Sequence, residues 1–172
     1  KRIWEIYNSF YFIGAGGVSM SALAKFLLLK GAKVAGSDKS HSVYVDDLTA
    51  IGAEIFVGDC KKSIEEFDVI VYTDAINESN LQLAQARGLN KPIISRGQLL
   101  TEISRSFERV IAISGCHGKT TAASMLAHIF MTAEKEFCAH IGGRDARLSN
   151  FYYCGNEYFI TEACEYKQNF LL

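Results

Sequence analysis

Five short apolar runs, FYFI (10–13), KVAGS (33–37), AEIFV (53–57), DVIVYT (68–73) and KPIIS (91–95), are separated by segments with helical periodicity. Parallel strands can be joined only by a crossover, usually a helix, so this alternation predicts βαβ units and a parallel sheet. FYFI runs into a glycine-rich turn and then a helix ending near Gly31, in which Met20, Leu23, Ala24, Leu27 and Leu28 share one face. A helix from about Gly97 to Ser106, with Leu99, Leu100 and Ile103 together, closes this first unit, and the boundary falls near 106–109. A second unit opens with the strand RVIAI, the turn SGCHGKT and a helix whose Ala122, Met125, Leu126, Ile129 and Phe130 are read as one face. Two more strands, FCAHI (137–141) and EYFITE (157–162), follow it.

Charge and cysteine usage exclude several functions. Lys and Arg number 18 against 19 Asp and Glu, so no basic field attracts nucleic acid and binding must come from local sites. The five cysteines (Cys60, Cys116, Cys138, Cys154, Cys164) are odd in number and form no CxxC pair. That pattern fits reduced thiols in the cytoplasm better than a disulfide frame or a zinc site. No apolar stretch approaches the roughly 20 residues that span a bilayer, and KRIWEIYNSF has no signal-peptide pattern, so a cytoplasmic protein without membrane insertion is expected. The chain starts at Lys1 and stops at NFLL without a cap or polar tail, the expectation for a fragment.

Each glycine turn stands between a strand and a helix, where backbone N–H groups and the helix N-terminus favour an anion. In the first, Gly14, Gly16 and Gly17 match part of a dinucleotide fingerprint, whose third glycine is replaced by Ser19. Asp38 follows the second strand about 20 residues on, where an acidic side chain commonly accepts from ribose hydroxyls, of NAD or of UDP alike. In the second, Gly118, Lys119 and Thr120 end a Walker A loop: the lysine reaches the β/γ-phosphates and the threonine hydroxyl helps to hold Mg²⁺. The first Walker glycine is replaced by Ile113, with Gly115 two residues later. The fold class is therefore α/β: a Rossmann-like parallel-sheet domain over 1–107, then the start of a P-loop α/β domain over 108–172.

SGCHGKTT resembles the ATP loop of the Mur ligases, and IGAGGVSMSALA is similar to the amino-terminal loop of their alanine-adding branch. VAGSDKS, TDAINESN and TEACEYKQNFL resemble further segments of those enzymes, in the same order, so that the resemblance spans nearly the whole chain. It implies a UDP-sugar diphosphate near Gly14, Gly16, Gly17, Ser19 and Met20, with its nucleoside near Asp38. It implies ATP on Gly115, Cys116, His117, Gly118, Lys119, Thr120 and Thr121, with Lys119, Thr120 and Glu162 catalytic. Mg²⁺ would rest on Thr120 and on Glu162, a carboxylate at a strand end; Asn150 also aligns. The implied activity is ATP-dependent joining of L-alanine to UDP-N-acetylmuramate through an acyl phosphate, in peptidoglycan precursor synthesis. The amino-acid-binding domain and further metal ligands of the family lie downstream, so these residues alone are expected to be incomplete for catalysis.

Departures from the family pattern are Cys116, where threonine is usual, the less acidic EACEYK with Cys164, Tyr166 and Lys167, and a short segment between Gly143 and Asn150. Adjacent Cys116 and His117 do not make a nucleophile pair, because neighbours in such a loop rarely face each other and no third group orients them. His41, His128 and His140 have no ligand spacing, and Trp4, Tyr7, Phe10 and Tyr11 read as packing. Three alternatives stay open: a muropeptide ligase of cell-wall recycling, an NAD-dependent oxidoreductase using residues 14–38, and a non-catalytic nucleotide-binding module. The oxidoreductase reading leaves the GKT loop unexplained.

Overall fold

The computed structural model describes residues 1–58, 64–76 and 80–163. Cys60, Cys164, Tyr166, Lys167 and residues 77–79 of TDAINESN lie outside them. The chain divides into two compact units, 1–99 and 100–172.

In the first unit the elements run α1 (Ile3–Ile6), β1 (Ser9–Ile13), α2 (Val18–Leu29), β2 (Lys33–Asp38), α3 (Val43–Ala50), β3 (Glu54–Val57), a 3-10 turn (Ile64–Glu66), β4 (Val69–Tyr72), α4 (Leu81–Gly88) and β5 (Ile93–Ser95). The sheet has the order β3-β2-β1-β4-β5 and every pairing is parallel, as the alternation requires. Central β1 is buried along its whole length. Its Tyr11 and Ile13 pack with Phe67, Ile70, Leu83 and Ala86. The buried Tyr11 hydroxyl accepts from Gln82 Nε2 at 3.0 Å, which removes the cost of a stranded polar atom in the core. On α2, Met20, Leu23, Ala24 and Leu27 are all buried, and Trp4 packs edge-on against Phe26 of the same helix. From β1 the strand order runs through β2 to β3 on one side and through β4 to β5 on the other, so the order reverses between β1 and β4, and the turn after β1 opens at that switch point.

The helix α5 (Arg96–Ser104) leads into the second unit, which contains β6 (Arg109–Ile113), α6 (Lys119–Thr132), β7 (Phe137–Asp145), β8 (Ser149–Tyr153) and β9 (Tyr158–Glu162). Its sheet order is β6-β9-β7-β8, with β6, β9 and β7 parallel and β8 antiparallel to β7. Two expectations change here. The sequence reading placed two strands after the helix, whereas β7 extends to Asp145 and turns back into β8; the polar Ser149 and Asn150 and a register shift between His140 and Asp145 hid that hairpin. The face assigned to α6 is also rotated. Ala123 and Ala127 are buried against Phe137, Ala139, Ile141 and Ile160, while Met125 and Ile129 are 62% and 60% exposed. Small alanines let the helix lie close to the sheet, a preference that hydrophobicity alone does not reveal.

Candidate functional site

Parallel pairing decides what gathers in the second unit. Ile113 is in register with Glu162, and His140 with Thr161, so the ends of β6, β9 and β7 finish at one edge of the sheet. The 114–118 turn, Glu162 and Gly142 are thereby neighbours. Gly118 caps α6 with φ 76°, the left-handed region that favours glycine, and aims the first turn of the helix along the loop. The Lys119 ammonium folds over the turn and donates to the Gly115 carbonyl at 2.5 Å. Glu162 is held from two sides: Oε2 accepts from Thr120 Oγ1 at 3.2 Å and Oε1 from the Gly142 N–H at 2.6 Å. A Cβ at Gly142 would stand 2.6–2.8 Å from that carboxylate, so only glycine lets β7 approach it this closely.

These residues bring together a helix N-terminus, an ammonium, a hydroxyl and a carboxylate. Such a set can bind a polyphosphate at the loop and a hard cation between Thr120 and Glu162. Among the described residues no three His, Cys, Asp or Glu side chains gather as a metal cage. Cys116 and His117 are both exposed on the turn. Asn150 is fully buried in β8.

The turn of the first unit is braced from below. Gly14 and Ala15 both donate to the Ser37 carbonyl, at 2.8 and 3.0 Å. Asp38 Oδ2 accepts from the Gly16 N–H at 2.8 Å, and Ser42 Oγ donates to the Gly16 carbonyl at 3.0 Å. Gly17 then caps α2 without a side-chain bond, leaving the entrance of the helix to the turn itself. The Asp38 carboxylate thus contacts the loop backbone directly. Met20 is 2% exposed and its side chain belongs to the core, so only its backbone is placed to meet a ligand.

Arg96 was not singled out in the sequence. Its Nη1 donates to Ser19 Oγ at 3.3 Å and its Nη2 lies 3.9 Å from Asp74 Oδ2. This sets a guanidinium, only 12% exposed, beside the first turn of α2. The signal available in sequence was a lone arginine after a strand, which is too common to read. Asp145, Ser124 and His128 were missed as a group as well. Asp145 Oδ2 accepts from Ser124 Oγ and faces His128 Nε2 at 3.0 Å. Among the described residues no helix is long and apolar enough to cross a membrane.

The family model "Mur ligase family, catalytic domain" matches residues 9–108. A UDP-N-acetylmuramate–L-alanine ligase of Clostridium acetobutylicum is 45% identical over 168 residues, 97% of this chain and 37% of the relative. One from Clostridium perfringens is 42% identical, again over 97% of this chain and 37% of its own length. The chain thus spans little more than a third of these relatives. Among solved structures, a UDP-N-acetylmuramate-alanine ligase of Thermotoga maritima superposes with a TM-score of 0.85 at 28% identity, over 90% of this chain and 36% of that one. A UDP-N-acetylmuramate:L-alanyl-gamma-D-glutamyl-meso-diaminopimelate ligase of Neisseria meningitides gives 0.83 at 28% identity, over 93% of this chain and 53% of that one.

Proposed function

The chain belongs to the Mur ligase family, and from that premise we propose that it forms the UDP-sugar- and ATP-binding part of a cytoplasmic ligase that joins L-alanine to UDP-N-acetylmuramate. The observation that carries this reading is the Glu162 carboxylate held between Thr120 Oγ1 and the Gly142 N–H, at the edge where the 115–121 turn meets α6. Alanine as the added amino acid rests on the relatives at 42–45% identity. The similar superposition of a tripeptide-adding ligase keeps that enzyme as the second reading.

A carboxylate resists attack by an amine, so amide formation needs activation. In this reading the γ-phosphoryl of ATP passes to the lactyl carboxylate, the amine then attacks the acyl phosphate, and ADP and phosphate leave. The N–H groups of residues 119–121 and the Lys119 ammonium hold the phosphates and stabilise charge on the moving phosphoryl group. In this reading the Lys119 ammonium exchanges its bond to the Gly115 carbonyl for phosphate oxygens. Thr120 and Glu162 offer two hard oxygen ligands, a set that fits Mg²⁺, which keeps several waters and takes phosphate oxygens. Bound there, Mg²⁺ would neutralise phosphate charge. In the first unit, Gly14, Gly16, Gly17, Ser19 and the Met20 backbone line the diphosphate position. Asp38 keeps the turn in shape by holding the Gly16 N–H, and Arg96 adds positive charge beside Ser19.

The test is a calorimetric titration with UDP-N-acetylmuramate, ATP with Mg²⁺, and NAD, together with alanine-dependent phosphate release by the full-length protein. Binding of the first two and not of NAD is expected. Binding of NAD with no response to the UDP-sugar would overturn the reading.

A further inference from the structure

Asp145 stands in the second unit at the end of β7, three residues beyond Gly142. Its carboxylate uses both oxygens. Oδ2 accepts from Ser124 Oγ and faces His128 Nε2 at 3.0 Å, while Oδ1 accepts from the Arg147 and Leu148 N–H groups at 2.8 and 3.0 Å. The side chain is 12% exposed. Ser124 and His128 lie four and eight residues beyond Thr120, on the same face of α6. Asp145 therefore ties two successive turns of the P-loop helix to the β7–β8 turn.

Between the two sites the ladder is thin. Register pairs of β7 with β9 stop at His140, and those with β8 resume only at Asp145. Residues 141–144 thus cross a gap in the pairing, and Gly142, which donates to Glu162, lies inside that gap. A cleft of about 260 Å³ opens beside it, lined by Thr120, Thr121, Ser124, Arg144 and Asp145 among others. The ring from α6 through Asp145, β7, Gly142 and Glu162 closes again on α6 at Thr120.

A Ser–His–Asp hydrolytic site is not formed by this trio. Such a site needs the imidazole between hydroxyl and carboxylate, whereas here the carboxylate is the hub and the hydroxyl donates to it, which leaves Ser124 unactivated. The geometry points instead to Asp145 as a positioning residue: by latching the 141–145 segment to α6, it keeps the Gly142 N–H where that group holds Glu162 toward Thr120. The Ser124 hydroxyl above all, with the two backbone N–H groups and His128, outweighs burial and holds the Asp145 carboxyl well below the usual carboxylate range. The latch is consequently ionised at any working pH.

This inference rests on the reading of Thr120 and Glu162 as a Mg²⁺·ATP site. It is tested by calorimetric ATP binding to the full-length protein with and without Mg²⁺, the readout being the factor by which Mg²⁺ tightens binding. Asp145→Ala is expected to cut that factor roughly tenfold while leaving metal-free ATP affinity within about twofold, and to speed hydrogen exchange of the Gly142 amide. Asp145→Asn, which can still bond Ser124 and the turn, should restore most of the factor. Should Asp145→Ala fail to fold, Ser124→Ala removes one anchor on α6 and is expected to act in the same direction. An unchanged Mg²⁺ factor in a folded variant, or metal-free affinity falling in parallel, overturns the positioning role. Glu162→Gln run beside them separates the two readings. If it leaves the factor unchanged, the metal-site reading falls and takes this inference with it. If it lowers the factor while the Asp145→Ala and Ser124→Ala proteins match the parent, only the role of Asp145 falls.

Discussion

Replacing Gly142 by alanine should separate the proposed metal site from the fold. A Cβ there would sit 2.6–2.8 Å from the carboxylate atoms of Glu162, well inside van der Waals contact, so one of the two must move. Gly142 lies outside the left-handed region, so alanine suffers no conformational penalty of its own. What yields is the far end of a flexible side chain on an exposed edge, and a small loss of overall stability is expected. The displaced carboxylate loses the Gly142 N–H and its place beside Thr120. A hydrogen bond to a charged group contributes about 1.5–3 kcal/mol, so the Mg²⁺-dependent gain in ATP affinity should fall roughly tenfold to a hundredfold. Calorimetry with and without Mg²⁺ measures that gain, and a thermal melt on the same sample reports the fold. A Mg²⁺ gain equal to that of the parent, in a protein that melts where the parent melts, would refute the assignment of Glu162. A melt lowered by many degrees would show instead that the glycine serves packing.

Other outcomes follow from the same geometry. Lys119→Ala should weaken ATP binding roughly tenfold to a hundredfold in a titration, with UDP-sugar binding unaltered; equal loss of both ligands would mean unfolding. Gly16→Val must push its side chain into the Asp38 carboxylate, which a Cβ alone already meets at 2.9 Å, so calorimetric UDP-sugar affinity should drop while ATP affinity holds. Asp68 accepts from Ser9 Oγ and from the Asn8 and Ser9 N–H groups. These bonds, that of the Ser9 hydroxyl first, hold its carboxyl below the usual range against a partial opposing effect of burial. A lowered folded-state value stabilises the protein above the unfolded value of about 3.9 and ceases to do so as pH falls through the folded one. The urea midpoint of Asp68→Asn should accordingly lie below the parent's at pH 6, and the gap should narrow as pH falls from the unfolded value of about 3.9 through the lowered folded one; a gap that stays constant as pH falls across that range would count against the linkage.

Much of this fold could be read from the chain because its signals are local. Each predicted strand is a strand, since a buried parallel strand is a nearly continuous apolar run and the runs here are bounded by helix-periodic segments. Where the fold depends on what lies across the sheet, the chain misleads. The α6 stripe of Met125 and Ile129 is as apolar as the one that is buried, and only the close approach of α6 to β7 selects Ala123 and Ala127 for the inside. In β8 the strand starts with Ser149 at φ 55° and the buried Asn150, neither of which announces a strand.

The candidate site divides in the same way. The turn residues Gly115–Thr121 are contiguous, so their chemistry shows in a seven-letter stretch. Glu162, Gly142 and Asp145 are separated by tens of residues from Thr120 and Ser124, and what joins them is strand register. Ile113 opposite Glu162 brings the carboxylate to the 115–121 turn, and His140 opposite Thr161 brings Gly142 to that carboxylate. A shift of one residue in either pairing would turn Glu162 to the opposite face of the sheet and take it away from Thr120. The site is therefore as much a property of the hydrogen-bond ladder as of its side chains. It follows that substitutions which loosen β9, such as Ile160→Ala in the buried cluster, should depress the Mg²⁺-dependent gain in ATP affinity as well as stability. Calorimetry on that variant, at a temperature well below its melting point, decides the matter: a full Mg²⁺ gain in a destabilised but folded protein would show that the register survives the cavity, and that core packing and site geometry are independent.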